Sequence, residues 1–294
     1  MENIVYRGSP HGNIEEFRIN ESTHKVKCLY AAEKKAVAML FMGRGRGDLD
    51  TFISTHDGVP YIVERREGVL KNSYDHDGYL YEIDGSTFRH EDYLWPAEVI
   101  STAETLKPLS CTYYSNILKA LHEEEKKGNL KMYYYPDRPE YIDIPLDNSD
   151  LIEKYINFDK KGHRGAIDNL LEIYPELKDK VFSKLEMPSE FYYIGRKNES
   201  LEEIVVYDNM VDAFLRDDSP LFVREDGWLN YDVVDSKFIF EKGGFNFDED
   251  FYIYKVRGNA KRLSAHSFDL DRVQVISSER IDLHDYLDEK TLTK

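Results

Sequence analysis

The sequence predicts an α+β protein in which two strand-rich domains are separated by a helical segment. The chain has 294 residues, which is long enough for two modest domains. Strand-type and helix-type patterns alternate along it in long blocks rather than residue by residue. Its 22 tyrosines are typical of broad, half-buried sheet surfaces, and 41% hydrophobic with 32% charged residues describe an ordinary globular protein. We therefore expect a folded chain.

The first strand-rich stretch covers residues 1–111. Short apolar runs bounded by glycine, proline and polar turn residues predict strands at 4–6, 27–30, 60–63, 79–83 and 98–101. One helix is predicted at 33–42, because alanine and leucine recur there at helical spacing before Gly43.

Residues 112–188 predict a helical spacer. Helices are expected at 112–127, where Gly128 ends the pattern, at 149–157, and at 166–185 with an interruption at Pro175, and an extended piece is expected at 131–144. Strands return in 189–294, at 191–194, 221–223, 237–240, 251–256 and 272–277.

The second strand-rich stretch repeats the first in order, which suggests an internal duplication. Tyr6-Arg7-Gly8-Ser9 matches Tyr193-Ile194-Gly195-Arg196, and three further segments match in sequence, ending with 98–101 against 274–277. The apolar residues of the matched segments recur in the second stretch. At the positions of Arg7, Tyr30 and Glu98, however, the second stretch has Ile194, Phe222 and Gln274. The second copy is therefore expected to be a degenerate α+β domain of similar type. Two unrelated sheets with similar local chemistry would give the same pattern.

Charge and cysteine content restrict the function further. A net charge of −17 argues against wrapping a long nucleic acid. Residues 1–50 nevertheless carry eight Lys or Arg against seven Asp or Glu, so an anionic ligand is expected there.

No apolar run spans a bilayer and no signal peptide is evident, which predicts a cytoplasmic protein without membrane contact. Cys28 and Cys111 are expected to be buried apolar residues.

Three short motifs in the first stretch resemble the ADP-ribosyltransferase superfamily, which includes poly-ADP-ribose polymerases and diphtheria-toxin-like enzymes. The first strand of that family carries His or Arg before Gly, which is similar to Arg7-Gly8. A second strand carries Tyr, for which Tyr30-Ala31 stands here, and a later strand opens with the catalytic Glu, for which Glu98 stands. The resemblance implies a split antiparallel sheet with flanking helices that binds NAD as substrate.

The resemblance also implies roles. Glu98 would hold the ribose 2′-hydroxyl and stabilise the oxocarbenium-like transition state. Gly8 would let the backbone approach the nicotinamide amide, and Tyr30 would stack on the ring. Arg7 and Ser9 would contact the ribose or diphosphate. The catalytic set is then Glu98, Tyr30 and Arg7, and the cofactor contacts are Tyr6, Arg7, Gly8, Ser9, Tyr30 and Ala31.

The function so implied is an NAD-dependent ADP-ribosyltransferase, such as the toxin of a toxin–antitoxin or phage-defence system, acting on a nucleic acid or protein and neutralised by an antitoxin. Residue 96 is Pro, so the Glu-x-Glu pair of arginine-modifying members is absent. Two alternatives stay open: an NAD glycohydrolase, and an inactive module that binds NAD, ADP-ribose or a protein.

Two further motifs are read as structural. Gly43-Arg44-Gly45-Arg46-Gly47 lacks the Gly-Lys-Ser/Thr of a P-loop and predicts a mobile loop, which could close over NAD. Asp75-His76-Asp77-Gly78 predicts an exposed turn rather than a metal site. No metal is predicted.

Overall fold

The computed structural model describes residues 3–21, 27–92, 94–95, 97–163, 165–197, 200–215 and 250–281. The chain forms two compact units, the first comprising Met1–Leu146 and the second beginning at Asp147. The strands predicted at 221–223 and 237–240, with Phe222, lie outside the described residues, as does Pro96. Each unit is described by itself below.

The first unit is built mainly of strands. Its elements are β1 (Ile4–Ser9), β2 (Phe17–Arg18), β3 (Asn20–Glu21), β4 (Lys27–Ala32), α1 (Lys35–Leu40), β5 (Thr51–His56), β6 (Val59–Glu64), α2 (Val69–Tyr74), β7 (Gly78–Asp84), β8 (Glu98–Ser101), β9 (Thr105–Leu106), β10 (Pro108–Tyr114), α3 (Ile117–Lys126) and β11 (Lys131–Tyr133).

The main sheet of this unit is antiparallel and has the order β10-β7-β1-β4-β3, with β8 also paired to β4. A second sheet has the order β11-β6-β5, in which β11 runs parallel to β6. Side chains alternate between the two faces of a strand, so each strand of the main sheet contributes to both faces. One face, the helix face, carries Tyr6, Ala32 and Leu80 in the core that includes α1. The other, the opposite face, carries Val5, Ala31 and Tyr81 in a separate core.

Helix α1 lies directly against β1 on the helix face, and Gly8 is the point of closest approach. A Cβ atom at Gly8 would lie 2.5 Å from the carbonyl oxygen of Ala38 in α1, and it would also meet the side chain of Met42. The Ala38 carbonyl is backbone and cannot move unless the helix moves. Glycine is therefore required here for helix packing.

We expect Gly8→Ala to lower the free energy of unfolding by about 1–3 kcal/mol, because the added methyl group overpacks a backbone contact. The matched control is Gly12→Ala, where the three atoms nearest the added Cβ all belong to the ring of Tyr79, which is a side chain rather than backbone. Chemical denaturation of the full chain measures both variants. Equal destabilisation by the two would contradict this explanation.

The second unit combines helices with a closed sheet. Its elements are α4 (Asp150–Lys160), α5 (Ala166–Ile173), α6 (Lys178–Phe182), β12 (Phe191–Gly195), β13 (Ile204–Tyr207), α7 (Met210–Leu215), β14 (Phe251–Arg262) and β15 (Ser267–Ile281). β12 pairs with β13 and β14, and β15 pairs with the same two strands, so the four close on themselves. Phe191, Val256 and Phe268 fill the interior of this sheet.

The predicted mixed α+β class is confirmed, and strands account for more of the described residues than helices do. The predicted helix 112–127 is shorter than expected and begins at Ile117, because Thr112–Tyr114 continues β10 and pairs with β7. The boundary after Leu146 divides the predicted spacer, since α3 contributes Ile117 and Leu121 to the first core. Among the described residues, every helix is too short or too polar to cross a bilayer.

The duplication is reflected only in part. Tyr81 on β7 donates its hydroxyl to the carbonyl of His11 in the loop after β1, and Tyr254 on β14 donates its hydroxyl to the carbonyl of Arg196 after β12. The last match is different: Glu98 lies opposite Ala32 on β4, whereas the Gln274 strand is the hairpin partner of β14. Within the described residues, the two sheets therefore differ in strand order and closure.

Candidate functional site

Glu98 begins β8 and is held in place by the residues just before it. Its backbone N–H donates to the carbonyl of Trp95 at 2.8 Å, and the Trp95 N–H donates to Glu98 Oε2 at 3.3 Å. These reciprocal bonds close a tight turn immediately before the strand. The carboxylate is thus oriented by the backbone rather than left as a freely rotating surface group.

A cleft of about 280 Å³ opens beside this carboxylate. Its walls come from the end of α1, the glycine-rich loop, β5, the end of α2 and the turn before β8. The lining residues are Leu40, Phe41, Gly43, Gly45, Gly47, Asp48, Asp50, Thr51, Ile53, Ser73, Tyr74, Trp95 and Glu98. All of them belong to the first unit.

Aromatic side chains form one side of the cleft. The rings of Phe41 and Trp95 meet edge to face, with centroids 6.3 Å apart and an interplanar angle of 79°. Tyr74 is buried and donates its hydroxyl to the carbonyl of Leu40 at 2.7 Å, which fixes its ring against the end of α1. Burial raises the pKa of Tyr74, so the ring stays neutral. The arrangement offers aromatic surface to a flat or cationic group.

The glycine-rich loop forms the other side, and its backbone is anchored. Arg44 N–H donates to the carbonyl of Ser73 at 2.8 Å, and Arg46 N–H donates to Asp50 Oδ2 at 2.8 Å. A Cβ at Gly45 would lie 2.7 Å from Ser73 Oγ, so the loop packs too closely there for a side chain. The sequence predicts a mobile loop here, but these contacts anchor the loop, which forms a wall of the cleft.

The charge inside the cleft is negative. Glu98, Asp48 and Asp50 all line it. Asp50 is partly neutralised, because Arg66 Nη2 lies 2.7 Å from its Oδ1. Three carboxylates in one cleft favour a cationic group over an anionic one there. The exposed side chains of Arg44 and Arg46 belong to the loop at its edge.

The structure places three of the residues predicted for the site on the same face of the main sheet. Tyr6 lies opposite Ala32 on β4, and Ala32 lies opposite Glu98 on β8. Directly opposed residues share a face, and so do residues two apart on one strand, which adds Tyr30. Tyr6, Tyr30 and Glu98 therefore lie on the helix face, although only Glu98 lines the cleft.

Arg7 is not among them, because the residue after Tyr6 points to the opposite face. Its Nη1 donates to the backbone carbonyl of Tyr30 at 2.7 Å, and its guanidinium lies 5.5 Å from the centre of the Phe17 ring. Burial lowers the pKa of Arg7. The expected placement of Arg7 beside Tyr30 and Glu98 around a ligand is corrected: its side chain ties β1 to β4 on the other side of the sheet.

The other residues predicted to contact the cofactor, Gly8, Ser9 and Ala31, contact other parts of the protein instead. The position where Gly8 lacks a side chain is filled by α1. Ser9 is buried, and its Oγ accepts a hydrogen bond from His11 N–H at 3.0 Å. Ala31 packs in the core of the opposite face. These three residues shape the sheet rather than the cleft.

Sequence reasoning missed most of the cleft wall. Trp95 stands three residues before Glu98 and is one of only two tryptophans, which was the available signal. Phe41 directly follows α1 and Tyr74 is the last residue of α2, a helix that the sequence does not predict. Cys111 was expected to be buried and is exposed, because β10 is the outer strand of its sheet.

A separate charged cluster lies in the second unit around His266, in the turn between β14 and β15. Its Nε2 lies 2.9 Å from Asp159 Oδ1, and its Nδ1 lies 3.0 Å from both carboxylate oxygens of Asp208. Asp208, Asp212 and His266 have spacing that would suit a metal, but both ring nitrogens already hydrogen-bond carboxylates. The cluster is that of a paired imidazolium, and it links four elements of the unit.

The predicted turn at Asp75-His76-Asp77 joins α2 to β7. The His76 ring nitrogens contact the backbone carbonyls of Asp77 and Ser73, at 2.6 Å and 3.0 Å. Asp75 accepts a hydrogen bond from the Asn116 side chain. The segment is a structural turn, as predicted.

Comparison of the chain with protein-family models, with curated proteins and with solved structures found no match.

Proposed function

We propose that the first unit binds NAD with its nicotinamide end in the Glu98 cleft and transfers ADP-ribose from it to an acceptor. One observation carries the proposal: a carboxylate oriented by the backbone stands beside a cleft whose walls are aromatic on one side and acidic within. The resemblance of the short motifs to ADP-ribosyltransferases supports the same residue, Glu98.

The ligand chemistry follows from the lining. The nicotinamide of NAD is a flat pyridinium cation. Faces of Trp95, Phe41 and Tyr74 attract such a cation through their ring quadrupoles, and nearby carboxylates add Coulombic attraction. The pocket thus suits the cationic half of NAD better than its diphosphate.

The reaction breaks the bond between the ribose C1′ atom and the nicotinamide nitrogen. Nicotinamide leaves with the bonding electron pair, the sugar develops oxocarbenium character, and the acceptor nucleophile bonds to C1′ as it loses a proton. The Glu98 carboxylate stabilises the positive sugar and accepts a hydrogen bond from its 2′-hydroxyl. This attraction is greater in the transition state than in bound NAD, which is what accelerates the step.

The volume of the cleft limits which part of the NAD molecule fits inside it. About 280 Å³ is at the lower end for ligand pockets and accommodates the nicotinamide and its ribose. The diphosphate then lies outside, where the anchored loop carries two exposed arginines, Arg44 and Arg46. The diphosphate would compete with Asp77, which lies 4.0 Å from Arg44 Nη2.

The acceptor is a nucleic acid base or a protein side chain, and a toxin neutralised by a protein antitoxin is the setting that the resemblance favours. An NAD glycohydrolase uses the same residues with water as acceptor. An inactive binding module binds NAD or ADP-ribose in the cleft without breaking the bond to nicotinamide.

The experiment that tests the proposal incubates the full chain with NAD labelled in its ADP-ribose half, with and without cell extract. Nicotinamide release together with label on a macromolecule, dependent on extract, is the expected result. Equal release without extract indicates the glycohydrolase, and calorimetric binding without release indicates the module. Absence of both binding and release overturns the proposal.

A further inference from the structure

Within the part of the chain that the structure describes, the outer strand of the main sheet, β10, has an open edge. β7 is its strand partner among the described residues, and 110–114 run in unbroken register with 82–78. The backbone N–H and C=O groups on the far side of such a strand are available to pair with another strand. An edge of this kind is normally blocked by charge, proline or a bulge.

In β10, such blocking features are confined to the first residues of the strand. A register shift between Pro108 and Ser110 interrupts the start of the strand, and the rest is regular. Leu109 is 59% exposed and Tyr113 54% exposed, and the thiol of Cys111 is exposed between them. Apolar and aromatic side chains therefore flank an edge with which no described strand pairs.

The strand is also free of charge in a highly charged protein. Residues 108–114 contain no Asp, Glu, Lys or Arg, although 32% of the chain is charged and its net charge is −17. Two copies of so acidic a chain repel each other over most of their surfaces. A neutral strip is where that repulsion is smallest.

The charges that flank the strip are opposite at its two ends. Lys107 precedes β10, while Asp75 and Asp77 stand at the other end, where Tyr113 donates its hydroxyl to Asp77 Oδ2 at 3.4 Å. Arg44 Nη2 lies 4.0 Å from Asp77 Oδ1, so that end keeps a net negative charge. In an antiparallel pair of identical strands, the beginning of each strand lies beside the end of the other. Each Lys107 then faces the acidic end of its partner.

We propose that two copies of this chain associate by antiparallel pairing of their β10 strands around a twofold axis near Cys111 and Thr112, which extends the main sheet across both copies. The pairing satisfies the open backbone groups and brings Leu109 and Tyr113 of the two copies into contact. A seven-residue strand buries little area, so the dimer is weak and depends on concentration. The proposal does not rest on the NAD chemistry.

Sedimentation of the full chain at roughly 10–100 µM tests it, since a weak dimer dissociates in that range. The wild type is expected to dimerise. Tyr113→Lys is expected to weaken the dimer by at least about tenfold, because the new ammonium group replaces an apolar contact with Leu109 of the other copy and lies diagonally across from its Lys107. Met187→Lys, at an apolar residue 56% exposed outside β10, is the matched control and leaves the dimer unchanged.

A second measurement keeps the test independent of any folding defect. A short bismaleimide is expected to join two chains through Cys111 in the wild type and not in Cys111→Ser, because the other cysteine, Cys28, is buried. A wild type that stays monomeric over this concentration range, a dimer equally weakened by both lysine variants, or a dimer that does not cross-link through Cys111 overturns the proposal.

Discussion

Replacing Glu98 with glutamine is expected to lower the rate of nicotinamide release by roughly 100-fold or more, because a neutral amide cannot stabilise the positive sugar. The amide oxygen still accepts the hydrogen bond from Trp95 N–H, so the turn before β8 is kept. NAD affinity is expected to change by only a few-fold, since the carboxylate acts mainly in the transition state. Single-turnover release and calorimetric titration measure the two quantities separately.

The matched control is Glu104→Gln, which removes an exposed carboxylate of the same unit outside the cleft. It is expected to retain the wild-type rate. If Glu98→Gln is as active as this control, the carboxylate has no part in the reaction. If Glu98→Gln loses binding and turnover together, Glu98 holds the ground state rather than the transition state.

The second large effect is expected in the other unit. His266→Gln is expected to lower the free energy of unfolding of that unit by about 2 kcal/mol, because removing the imidazolium leaves two partly buried carboxylates without their counter-charge. Asp159 and Asp208 then face each other across a neutral side chain. Hydrogen exchange of the β13 and β15 amides measures the loss within the unit. Asp57→Asn, at an exposed carboxylate of the first unit, is the control.

The same cluster predicts how stability depends on pH. Burial alone lowers the pKa of His266, but hydrogen bonds to Asp159 and Asp208 outweigh it and raise the pKa from 6.5 to about 11. The folded state therefore holds a proton that the unfolded chain releases near neutral pH. The stabilisation is complete below the unfolded pKa and is lost as the pH rises through the folded pKa.

The wild type is thus expected to lose stability progressively between about pH 7 and pH 10, and the difference from His266→Gln is expected to shrink over that range. Hydrogen exchange corrected for the intrinsic rate at each pH measures it. A difference between the two proteins that stays constant across this range would show that the imidazole is not held in its charged form.

Much of the first unit could be predicted from local pattern. The strand 98–101 was predicted at its observed bounds, Glu98–Ser101, and helix 33–42 contains the observed Lys35–Leu40. Apolar alternation and a glycine stop signal are properties of neighbouring residues, which sequence reasoning can follow. Glu98 could be singled out for the same reason, because it stands at the start of a clear strand.

The composition of the site could not be predicted in the same way. Arg7 and Glu98 lie on different strands, and whether their side chains share a face depends on the pairing register through β4. Local pattern does not fix that register. Likewise, the partners of His266 come from residues as much as 107 positions away, and only the packing of four elements brings them together.

A crystal structure with a non-hydrolysable NAD analogue tests most directly whether the cleft beside Glu98 binds the nicotinamide end of NAD. The predicted result places the pyridinium ring against Trp95 and Phe41, with the adjoining ribose within hydrogen-bond reach of Glu98 and the diphosphate outside near Arg44. An analogue bound on the Arg7 face of the sheet, or an empty cleft at saturating analogue, would contradict the account.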